Sequence, residues 1–78
     1  MKTKLTPQQI QIMKDDIAVD LTEYLINTFH YTPQDALDVL YTSDTFNRLQ
    51  DNETGLYYQS PGYIFDFLNK EITEGQIR

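Results

Sequence analysis

Cysteine is absent from the 78 residues. That removes disulfides, thiolate nucleophiles and Cys-based zinc sites together, and leaves the core without a covalent staple. A reducing cytoplasm suits such a chain. No apolar run approaches the roughly eighteen residues of a membrane span. The opening Met1-Lys2-Thr3-Lys4 leads into a glutamine-rich stretch rather than a signal peptide, so the expectation is a mature soluble protein kept off the membrane. Cations are scarce: six basic residues stand against twelve acidic ones, a net charge of −6. The basic residues Lys2, Lys4, Lys14, Arg48, Lys70 and Arg78 are scattered. An acidic surface repels phosphate, so nucleic acid and anionic lipid are not expected as partners.

The residues that chemistry needs are equally thin. His30 is the only histidine, with no cysteine to serve and no motif that places a serine beside it. When charged, its ring suits the carboxyl end of a helix. Asp15-Asp16, Asp35 with Asp38, and Asp51 with Glu53 fall short of a metal-ligand set or a calcium loop. There is no glycine-rich phosphate loop. The expectation is therefore a non-enzymatic chain with no catalytic residue, no cofactor and no metal.

What the sequence does contain is helix punctuation. All three prolines follow Thr or Ser, at Thr6-Pro7, Thr32-Pro33 and Ser60-Pro61. A hydroxyl cap followed by a residue lacking a backbone N–H is a helix start. Gln9 can complete a capping box with Thr6. From Pro7 to about Phe29, Ile10, Met13, Ile17, Leu21, Tyr24 and Leu25 recur at three- and four-residue steps and give one core-facing side. A second helix, about Pro33 to Tyr41, is expected to bury Ala36, Leu37 and Leu40, with Tyr41 as a further candidate for burial at its end. Ser43 or Asp44 caps a short third helix that runs through Phe46 and Leu49 to about Gln50.

Asp51 to Gly55 is a turn cluster, with Gly55 suited to a positive φ. Leu56, Tyr57 and Tyr58 are expected as an extended step or a strand-like loop. The last helix, from Pro61 to near Gly75, is expected to bury Ile64, Phe65, Phe67, Leu68 and Ile72. The fold class is thus all-α: a single domain over 1–78, a small bundle of three main helices plus one short helix, with an extended Leu-Tyr-Tyr step before the last. Residues 1–5 and 76–78 are expected to fray.

Two surfaces are candidates for function. Ile12, Val19 and Ile26, spaced by sevens, lie nearly opposite the core face of the first helix. Later helices wrap that side, or the stripe is a self-association surface for a homodimer; each aliphatic contributes about 1.5–3 kcal/mol when fully buried. Tyr57, Tyr58 and Tyr63 belong to the aromatic stretch Asp51–Phe67, which has the composition of a protein contact or of a core that lacks disulfides. That stretch is expected to be the keystone of the fold. The second and third helices also have the outline of a helix-turn-helix, but the third offers one cation, Arg48, to phosphates.

The run Tyr41-Thr42-Ser43 through Phe46 and Leu49, then Glu53-Thr54-Gly55-Leu56-Tyr57 and Ser60-Pro61 with Tyr63-Ile64, resembles a family of short uncharacterised bacterial proteins. The layout is similar to small companion proteins encoded beside toxin-like genes. That resemblance implies an antitoxin or adaptor role and assigns nothing to individual residues. The expectation is a small cytoplasmic protein-interaction or accessory domain whose protein partner is unknown. An antitoxin-like partner is the alternative, and a helix-turn-helix regulator follows behind it.

Overall fold

The computed structural model describes residues 6–75; the chain ends expected to fray, 1–5 and 76–78, lie outside the described residues. Four α-helices follow one another: α1 (Pro7–Phe29), α2 (Pro33–Thr42), α3 (Asp44–Gln50) and α4 (Pro61–Glu74). No strand occurs among the described residues. The all-α bundle follows from the punctuation. Thr6 Oγ1 accepts the Gln9 N–H at 3.1 Å while the Gln9 side chain accepts the Thr6 N–H at 2.9 Å, which is a complete capping box. Thr32, Ser43 and Ser60 accept the N–H of Asp35, Phe46 and Tyr63 at 3.1, 3.0 and 3.2 Å. A side-chain hydroxyl thus satisfies one orphan donor at the start of every helix.

Helix α1 ends at His30, which takes the left-handed conformation at φ 61° and donates its N–H to the Ile26 carbonyl at 2.9 Å. The reversal lets Thr32 restart the chain, and α2 folds back along α1. A single residue, Ser43, joins α2 to α3. Its hydroxyl donates to the Leu40 carbonyl at 2.7 Å and caps α3 at the same time. Helix α4 packs against both α1 and α3. Between the helices lies the core of Ile17, Leu21, Leu25, Ala36, Leu40, Leu49, Tyr57, Ile64 and Leu68. Leu21, Leu25, Leu40, Leu49, Ile64 and Leu68 are fully enclosed, and each contributes about 1.5–3 kcal/mol through removal of apolar surface from water.

Four expectations need correction. The Leu56–Tyr58 step is not extended: it is a 3₁₀ turn, with the Tyr58 N–H donating to the Gly55 carbonyl at 3.0 Å and the Gln59 N–H to that of Leu56 at 2.9 Å. An extended step would leave its backbone groups without a ladder partner, whereas the tight turn satisfies them locally. Gly55, at φ 70°, reverses the chain out of a first 3₁₀ turn at Asn52–Thr54 and makes the second possible. Phe67 is 38% exposed rather than buried, because Ile64 and Leu68 already hold the inward face of α4. Tyr24 sits at the edge of the core, its ring 5.1 Å from that of Phe65. Tyr41 is exposed, because Ala36 and Leu40 fill the inward side of α2.

Candidate functional site: the α1–α2 groove

The stripe foreseen on α1 divides in the structure. Ile26 is half-buried and packs on the core, so on that turn the wrapped arrangement holds. Ile12 and Val19 remain 58% and 59% exposed. The aromatic trio divides too. Tyr57 is buried at 8% exposure, Tyr58 is 63% exposed with its ring 4.5 Å from that of Tyr57, and Tyr63 is half-exposed. Burial raises the Tyr57 phenol above its ordinary range, and the neighbouring Tyr58 adds to the shift. Tyr63 meets Phe67 edge-on at 5.2 Å on the outer side of α4. Tyr57 therefore belongs to the architecture, and Tyr58 and Tyr63 to the surface.

Val19 does not stand alone. It lines a groove between α1 and α2 together with Asp15, Ala18, Thr22, Leu37 and Tyr41. Helical spacing builds this surface. Asp15, Ala18, Val19 and Thr22 are three or four residues apart on α1, and Leu37 and Tyr41 are one turn apart on α2. The floor is small, with Ala18 and with Thr22 turning its hydroxyl back to the Ala18 carbonyl at 2.8 Å. The walls are apolar: Val19 on one side, Leu37 and Tyr41 on the other. Tyr41 is 55% exposed, its ring steadied edge-on by Phe46 at 5.0 Å.

The charge around the groove is acidic. Asp15 lines it and accepts the Gln11 side chain at 2.9 Å; Asp38, exposed next to Leu37 on α2 and outside the lining, accepts the Gln34 side chain at 3.2 Å. Asp16 and Glu23 follow Ile12 and Val19 by one turn on the exposed side of α1. From Asp15 to Asn47 the sequence holds seven acidic residues and no lysine or arginine. Lys14, next in line, is turned away: it is 7% exposed, and its ammonium donates to the Gln50 carbonyl at 2.7 Å and to Asn52 Oδ1 at 2.5 Å, 5.9 Å from the centre of the Tyr57 ring. The other cations of the described residues, Arg48 and Lys70, line a separate groove between α3 and α4.

Sequence reasoning missed three of these features. Tyr41 stands there only as a further candidate for burial, Leu37 is not linked to Val19, and Lys14 is one of the scattered basic residues with no sign of its burial. The cation-free run from residue 15 to 47 was the signal that would have drawn attention to this face. Elsewhere, no three His, Cys, Asp or Glu side chains converge as a metal site among the described residues. The α2–α3 junction is one residue long, shorter than the three- to four-residue turn of a helix-turn-helix. The N-terminus of α3 is occupied by Glu71, whose carboxylate accepts the Asp44 and Thr45 N–H groups at 2.7 and 3.0 Å and the Thr45 hydroxyl at 2.8 Å.

No family model matches the chain, and no curated protein or solved structure matches it.

Proposed function

We propose that this chain is a small non-enzymatic protein-interaction domain that uses the α1–α2 groove as its contact surface. One observation carries this: Val19 and Tyr41, both more than half exposed, face each other across a groove, although each has enough apolar surface to stabilise a core. The groove is concave and apolar with a polar rim, the anatomy of a contact site. A cytoplasmic setting in a bacterial cell, and a role as an accessory or antitoxin-like partner, extend the resemblance carried by the C-terminal half. A nucleic-acid role is disfavoured by the acidic charge around the groove and by Glu71 at the start of α3, where a phosphate would otherwise meet free N–H groups.

A photo-crosslinking side chain at position 19, expressed in the native host, tests the role. The expected result is a discrete adduct that disappears in the Tyr41→Ala background and is not formed from position 63. Absence of any discrete adduct at position 19 in a folded, expressed chain would rule this surface out.

A further inference from the structure

The groove has one sign of charge around an apolar floor, and that combination selects its occupant. Two copies of this chain meeting through the groove would set Asp15, Asp16, Glu23 and Asp38 of one against the same residues of the other. Like charges placed opposite one another oppose such pairing. An anionic ligand meets the same repulsion. A small cation would leave Val19, Leu37 and Tyr41 uncovered. His30, the one histidine, stands at the far end of α1 from Asp15.

Resting on the interaction role above, we propose that the groove receives a cationic amphipathic helix of a partner protein. Its apolar side chains, at three- and four-residue spacing, lie against Val19, Leu37 and Tyr41. Its lysines and arginines flank that stripe and meet Asp15, Asp16, Glu23 and Asp38. This is helix-in-groove recognition, with apolar anchors supplying the contact and the charges setting register and approach. From Asp15 to Thr22 the groove runs about 10 Å along α1, close to two turns of a docked helix.

The probe is a fluorescent amphipathic Leu/Lys peptide of about 18 residues, with a scrambled peptide of equal composition and a Leu/Glu version as comparisons. Binding to the full chain is followed by anisotropy. The Leu/Lys peptide is expected to bind, and to weaken by about tenfold or more in the Val19→Ser/Tyr41→Ser double variant, which removes apolar contact without changing charge. Asp15→Lys/Asp38→Lys should weaken it as well and flatten its dependence on salt. Tyr63→Ser/Phe67→Ser should bind as the parent does, and circular dichroism identifies any variant that fails to fold.

Three results overturn the assignment: no binding by the folded chain, equal binding of the scrambled peptide, or tighter binding of the Leu/Glu peptide. A dimer in sedimentation that Val19→Ser/Tyr41→Ser converts to monomer would give the groove to a second copy instead. If the adduct at position 19 contains a partner with no cationic amphipathic segment, the occupant is wrong while the interaction role stands. Without any adduct, the role itself fails.

Discussion

Lys14 shows how far one side chain can depart from what its type suggests. A lysine in a run ending Lys14-Asp15-Asp16 belongs, on composition, to a solvated face. Its position on α1, however, is one turn before Ile17 and Ala18, and this turns its stem inward. The ammonium then reaches the last carbonyl of α3 and the side chain that opens the first 3₁₀ turn. A cation at a helix C-terminus complements the partial negative charge there, and the stem lies beside Tyr57. Lys14→Met keeps the stem and removes the donors. We expect a loss of about 1.5–3 kcal/mol, the range for hydrogen bonds to a charged group, measured by urea unfolding. A change within error would mean that water replaces the ammonium without cost.

Among the elements, α3 is the one that could not stand alone. Seven residues are too few for a stable isolated helix. Its first N–H groups are satisfied from outside, by Ser43 and by Glu71 of α4, and its last carbonyl is held by Lys14 of α1. The short helix is thus tied at both ends to the two long ones, with Leu49 locked beneath it. Glu71→Ala is expected to destabilise the protein by about 1–2 kcal/mol through loss of the cap. Hydrogen exchange at the Asp44 and Thr45 amides should quicken before exchange in the middle of α1. Uniform acceleration across all helices would show instead that α3 opens only with the whole fold.

At the scale of the molecule, cations are unevenly placed. The outer side of α1 and α2 carries acids without a lysine or arginine among them, while Arg48 and Lys70 sit in the α3–α4 groove among Asp44, Glu71 and Glu74. The net charge of −6 is therefore felt as repulsion that is least offset along α1 and α2, which folding brings together and unfolding relieves. Added sodium chloride, raised from about 20 to about 200 mM, shortens the screening length from tens of ångströms to less than about ten. Thermal stability is expected to rise over that interval. A midpoint that falls with salt would mean that attractive pairs outweigh the repulsion. The salt response of the fold and that of peptide binding run in opposite directions, so the two effects are separable.

The helices and their boundaries are legible in the chain's own signals, because those signals are local: a hydroxyl and a proline at three starts, Ser43 at the other, and apolar residues at helical spacing. Most of the core is legible too, since Ile17, Leu21, Leu25, Ala36, Leu40, Ile64 and Leu68 follow from the face each helix presents. Which apolar residues are left out depends on how the helices pack against one another. Tyr41 and Phe67 sit within one or two residues of buried positions, and Ile26 shares the seven-residue stripe of Val19 yet packs on the core; what separates the exposed from the buried is which side of each helix another helix reaches. The same holds for Leu56–Tyr58, whose extended and 3₁₀ forms are close in local preference until Gly55 turns the chain and Tyr57 meets α1. The candidate groove is a product of that choice: its walls come from two helices, and no stretch of sequence contains both.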